Sequence, residues 1–182
     1  MNVVVKKASL VSGIFLKYGY ELSDNGKKDT INISSDCAVH DDLKNAFRNL
    51  IPFFAHICEE ITDEELIKKA IKSPEDFLER LEPDPEDKLY PFLKYNVYGF
   101  SLGKGSESVI ILGSKRLKTY EYISLETPTI RLDNDYMFLS ELQESIDVLK
   151  SEVLAYMDGK QAPKVEVNGL FGGDGDEDES FD

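Results

Sequence analysis

Residues 3–5, 11–20 and 30–34 are dense in β-branched and aromatic side chains, the composition of strands, and Ser23-Asp24-Asn25-Gly26 supplies an Asn-Gly turn among them. From His40 the pattern changes. Leu43, Phe47, Leu50, Phe54, Ile57 and Ile61 recur at spacings of three and four, which predicts an amphipathic helix, kinked or broken at Pro52 because proline lacks the backbone donor. Thr62 followed by Glu65 matches a capping box for a short helix, and Ser73-Pro74-Glu75 starts another. Pro83, Pro85 and Pro91 then mark a connector. Residues 92–102, 107–117 and 120–132 predict three strands in a meander, and Leu139, Leu142, Ile146, Leu149, Val153 and Tyr156 predict a long helix closed by Gly159 and Pro163.

The fold class this implies is α+β, with antiparallel sheets and long amphipathic helices. Residues 1–163 form one domain in this reading. Its halves, 1–61 and 89–159, each run strand-strand-strand-helix, as in a pseudo-repeat, around an acidic helical insert at 62–88.

Charge sharpens the picture. The chain of 182 residues has a net charge of −14, more than solubility requires of one domain. Residues 59–88 hold twelve acids against five bases, and residues 164–182 hold seven against one, so the insert and the C-terminal segment carry the excess. That last segment, with its glycines and little apolar area, is expected to be a disordered acidic tail. Two cysteines make no disulfide framework, and neither a signal peptide nor a membrane span is legible, so a cytoplasmic location and no membrane partner are expected.

The tail ends in Asp176-Glu177-Asp178-Glu179-Ser180-Phe181-Asp182, an acidic run with an aromatic anchor, which fits a peptide that docks in a basic groove. Residues 172–182 thereby resemble the C-terminal tails of bacterial and phage single-stranded DNA-binding proteins, departing from them in placing Asp182 after the phenylalanine. The resemblance implies recruitment of replication and recombination proteins and competition with DNA, in the cytoplasm of the host if the chain is phage-encoded. The strand-strand-strand-helix order is similar, in topology alone, to whirly and positive-cofactor-type single-strand binders.

Binding unpaired strands takes cations for phosphates and flat rings for bases. The strand segments interleave both, and the candidate nucleic-acid-binding residues are Lys17, Tyr18, Tyr20, Lys94, Tyr95, Tyr98, Phe100, Lys115, Arg116, Lys118, Tyr120 and Tyr122. On a regular strand Tyr98 and Phe100 share a face with Lys94, and Tyr18 shares one with Tyr20.

No catalytic constellation is legible. Cys37-x-x-His40 has a plausible ligand spacing, but His56 and Cys58, two apart on a helix, point to different faces, and Gly103-Lys104-Gly105-Ser106 fits a hairpin turn better than a phosphate loop, so no catalysis, metal or cofactor is expected. The expected function is single-stranded DNA binding in replication or recombination by a homo-oligomer, the regular stripe of 139–156 serving a partner helix as well as its own sheet. The alternative is an acidic interaction or inhibitor protein that mimics nucleic acid.

Overall fold

In the computed structural model, which describes residues 2–24, 26–82 and 90–163, one antiparallel sheet is covered by helices. Its strands are β1 (Asn2–Val11), β2 (Phe15–Asp24), β3 (Lys27–Ala38), β4 (Tyr95–Leu102), β5 (Ser108–Arg116), β6 (Tyr122–Glu126) and β7 (Ile130–Arg131). The spatial order is β3-β2-β1-β4-β5-β6, with β7 pairing the start of β5. Two meanders therefore meet along β1 and β4, where Lys7, Ala8 and Ser9 oppose Ser101, Phe100 and Gly99. The α+β expectation holds, with a single continuous sheet.

Local chemistry sets the boundaries. Asp24 pairs with Lys27, leaving a two-residue loop in which Gly26 takes φ 80, as a tight hairpin demands. Pro52 does break the first helix: α1 (Asp41–Arg48) and α2 (Ile51–Ile57) are separate, and the proline sits in the first turn of α2, where no donor is missed. The cap of α3 (Glu64–Lys72) is Asp63 rather than Thr62, its carboxylate accepting from the Leu66 N–H at 3.1 Å. Helix α4 (Pro74–Arg80) begins on its proline, and α5 (Leu139–Met157) is the long C-terminal helix.

Two strand predictions are corrected. Pro91–Lys94 is a 3-10 turn, so β4 starts only at Tyr95. The expected strand 120–132 is cut into β6 and β7 by Thr127-Pro128-Thr129, where proline cannot donate to a ladder. Thr127 replaces the lost pairing: its N–H donates to the Ile111 carbonyl at 3.0 Å, and its Oγ1 accepts from the Ile111 N–H at 3.0 Å. The proline-rich connector at 83–89 lies outside the described residues.

All five helices pack toward one face of the sheet. Leu16 and Tyr18 of β2, Val5 and Ala8 of β1, Val97 and Phe100 of β4 and Val109 and Ile111 of β5 are buried there with Phe47, Phe54 and the α5 stripe. The insert belongs to this core, since Phe77 of α4 is buried with its ring edge-on to Phe92 at 5.5 Å. Leu142, Ile146, Leu149, Val153 and Tyr156 are all buried within the same chain. Five of the six stripe residues are thus used by the chain's own core, and Leu139 is half-buried. Among the described residues no helix is long and apolar enough to cross a membrane.

Candidate nucleic-acid interface

Because side chains alternate along a strand, burying one face of the sheet turns the other to solvent. Pairing across β1, β2, β3 and β4 lines up two rows on this open face. One row reads Ser101, Lys7, Gly19 and Asn32, and the next reads Gly99, Ser9, Lys17 and Ser34. Lys7 and Lys17 sit on one diagonal of adjoining β1 and β2 positions, and Gly19 and Ser9 on the other. A cavity of about 290 Å³ lies over the rows, lined by these serines, Asn32, both lysines and Leu112, with no carboxylate among its walls. A Cβ built on Gly19 would stand 2.7 Å from the Asn32 carboxamide oxygen and 2.9 Å from Lys7 Cε, so the glycine is what lets those side chains lean over the floor.

The sequence-predicted residues divide between the faces. Tyr18, Tyr95 and Phe100 are 9%, 4% and 1% exposed and belong to the core. Tyr18 does share a face with Tyr20, the rings stacked at 6.2 Å, but it is the covered face, where Tyr18 meets Tyr156 edge-on at 6.1 Å. Tyr20 is half-buried there. The grouping of Lys94, Tyr98 and Phe100 is broken by a bulge between Val97 and Gly99, which resets the alternation so that Phe100 enters the core and Tyr98 is left half-buried. Lys94 lies in the preceding 3-10 turn with its ammonium 5.4 Å from the Tyr95 ring centre.

Lys115 is also on the covered side. It is paired with Glu60, the carboxylate that also accepts from the Tyr95 hydroxyl at 3.0 Å. The Lys115 ammonium holds the Glu60 carboxyl below its ordinary range, while burial and then this hydrogen bond push the Tyr95 phenol up. Lys115 is therefore engaged by a carboxylate, unlike Lys17 and Arg116.

Four of the predicted residues do come together in the open. Arg116 opposes Tyr122 at the end of the β5–β6 ladder, and the turn between them carries Lys118 and Tyr120. The turn is closed by the Leu117 N–H on the Glu121 carbonyl at 2.7 Å, with Tyr120 at φ 66. Tyr120 is 79% and Tyr122 64% exposed, and the Arg116 guanidinium lies 6.0 Å from the Tyr120 ring centre. Lys17, on the sheet floor, is exposed as well.

The helical side carries acids together with bases that pair with several of them. The helices carry Asp41 and Asp42, Glu64 and Glu65, and Glu75 and Asp76 in their first turns, as the helix dipole favours, and Glu141, Glu144 and Asp147 lie exposed along α5. On the open face, the acids with a defined register are Glu21, which lies 3.9 Å from Lys6, and Glu126 at the β6 edge. None of the ion pairs among the described residues involves Lys7, Lys17, Arg116 or Lys118.

The cysteines and histidines are dispersed. His40 caps α1 by accepting from the Asp42 N–H at 3.3 Å, and His56 lies 3.1 Å from the Tyr136 hydroxyl. Burial pushes the Cys58 thiol up. Among the described residues no three His, Cys, Asp or Glu side chains converge to hold a metal.

Lys7, Ser9, Asn32, Ser34 and Ser101 were absent from the predicted set. The signal for Asn32 and Ser34 was present in the Asn-Gly turn, which fixes their opposition to Gly19 and Lys17. The tail residues Asp176, Glu177, Asp178, Glu179, Phe181 and Asp182 lie outside the described residues. No protein-family model, no curated protein and no solved structure matches this chain.

Proposed function

We propose that this chain binds single-stranded DNA on the helix-free face of its sheet, in replication or recombination, and that the acidic residues at its C-terminal end engage partner proteins. The observation that carries the proposal is a set of exposed cations that take part in none of the described ion pairs. A net charge of −14 repels nucleic acid on average, yet Lys7, Lys17 and Arg116 of the open face and Lys118 of the adjoining turn have no ion-pair partner among the described residues. At one end of that face Tyr120 and Tyr122 present rings for base stacking, next to a guanidinium suited to phosphate.

A nucleic-acid mimic would have to display acid on the surface it offers. Among the described residues, the acids in the first turns of α1, α3 and α4 and along α5 lie on the helical side, which supports the DNA-binding reading over the mimic. The reading is tested by anisotropy of a labelled oligothymidylate titrated with the full chain at several salt concentrations. Binding whose log affinity falls linearly with log salt is expected, with a slope of about −0.7 per phosphate neutralised. No binding at low salt, or binding indifferent to salt, rejects it.

A further inference from the structure

We infer that the hollow over β1, β2 and β3 is a seat for a single phosphate oxyanion, gripped between Lys7 and Lys17 on a floor of hydroxyl and amide groups. The inference rests on the proposed face for DNA but specifies which side chains hold the phosphate. Lys7 opposes Gly19 and Lys17 opposes Ser9, so the two ammonium-bearing positions are diagonal neighbours across one ladder. Diagonal positions on one sheet face are about 7–8 Å apart at their Cα atoms, within reach of a shared ligand for side chains as long as lysine. Like charges held this close repel each other. Neither has a carboxylate partner among the described ion pairs, because Glu21, the acid nearest in register, faces Lys6, whose ammonium also donates to Ser106 Oγ at 3.0 Å.

An oxyanion between the two lysines removes that repulsion and accepts charge-assisted hydrogen bonds from both. Ser9, Ser34, Ser101 and Asn32 contribute neutral donors around it, and the cavity of about 290 Å³ holds several groups of water size, at about 30 Å³ each. Glycine at position 19 is part of the construction, since any Cβ there would collide with the Asn32 carboxamide and the Lys7 stem.

The test uses the full chain, ¹⁵N-labelled, titrated with inorganic phosphate at constant ionic strength and, separately, with oligothymidylate. Asn32→Asp places a carboxylate in the seat on an exposed edge strand, and Gly19→Ala obstructs it without altering charge. Unchanged melting temperature and amide spectrum away from the seat identify which variant is folded. Saturable shifts of the Lys7, Ser9, Lys17, Gly19 and Ser34 amides by phosphate are expected, weakened about tenfold or more in Asn32→Asp, as like-charge juxtaposition costs over a kcal/mol. Phosphate that leaves these amides unmoved, or shifts that survive both variants, overturns the seat even if oligothymidylate still binds, in which case the DNA-binding proposal survives alone. Phosphate binding abolished by the variants in a protein that ignores oligothymidylate sustains the seat, for a free phosphate or phosphomonoester, and rejects the DNA-binding proposal.

Discussion

The hydroxyl of Tyr156, in the last turn of α5, lies 2.7 Å from the carbonyl oxygen of Cys37 at the end of β3. The same hydroxyl is 2.6 Å from Ser35 Oγ, and the ring stands edge-on to Tyr18 of β2. One side chain thus ties the C-terminal helix to an edge strand whose one strand partner is β2. It also holds β3 in the register that brings Asn32 and Ser34 beside the two lysines.

Tyr156→Phe keeps the ring and removes the hydroxyl. The loss of a largely buried hydrogen bond costs about 1 kcal/mol, which lowers the melting temperature by about 2–4 °C in a chain of this size. Hydrogen exchange at the β3 amides is expected to speed up more than exchange in β5. A uniform acceleration across the sheet would contradict the local role of this contact.

Glu60 gives a pH dependence whose sign can be worked out. Its carboxyl is held below the ordinary value, first by the hydrogen bond from Lys115 and also by that from Tyr95. A depressed pKa in the folded state contributes stability that is present above the unfolded value, near 4.5, and is lost as pH falls through the lower folded value. Other carboxyls, Asp41, Asp42 and Asp133, are held low as well, so the informative quantity is a difference between two proteins. Urea midpoints of wild type and Glu60→Gln measured from neutral pH downward are expected to show the widest gap above 4.5 and a narrowing gap below it. A gap that is flat across that range would show that the pair contributes no charge-dependent stability.

The aromatic side chains sort into two groups with opposite signatures. Tyr120→Ala and Tyr122→Ala each remove a ring that is mostly solvated, so each is expected to weaken oligothymidylate binding by about 1–3 kcal/mol while changing stability by no more than about 0.5 kcal/mol. Phe100→Ala empties a fully buried site and is expected to cost about 3–5 kcal/mol of stability. Thermal melts and anisotropy on the same preparations separate the groups. If Tyr120→Ala and Tyr122→Ala bind as tightly as wild type, the β5–β6 hairpin is not part of the interface.

Long periodic segments were legible in the sequence because their signal is local. The α5 spacing gave the helix, Pro52 gave the break, and the Asn-Gly dipeptide set a two-residue loop. That loop alone fixes Lys17 opposite Ser34 and Gly19 opposite Asn32, so half of the phosphate hollow could be read without coordinates. The pairing of β1 with β4 could not, since it joins residues about ninety positions apart through no turn. Nor could the choice of face. A tyrosine or phenylalanine on a strand fits the core and a stacking platform equally well, and the bulge at Tyr98 inverts the parity on which the prediction for Lys94 and Phe100 relied. Lys115 misled for a related reason, since its partner Glu60 comes from a distant segment.

The root of the C-terminal segment sets up the last prediction. Gln161 bridges to Val39, and the Ala162 N–H donates to the Ala38 carbonyl at 3.0 Å, so the chain leaves the described body beside the end of β3. Ala38 opposes Phe15, and Lys17 lies two residues farther along β2, toward the hollow. Asp174, Asp176, Glu177, Asp178, Glu179 and Asp182 follow this root along the sequence and are opposite in charge to Lys7 and Lys17 of the open face. Tethering raises the effective concentration of such a group to about the millimolar range, so a weak contact suffices to compete with DNA. Deleting residues 172–182 is expected to tighten oligothymidylate binding at low salt, with the gain fading as the Debye length falls below about 10 Å near 0.1 M salt. Phe181→Ala, which keeps every carboxylate, is expected to leave DNA affinity unchanged while weakening capture of a partner protein. A truncated chain that binds DNA no better than the intact one at any salt would show that these acids do not reach the sheet.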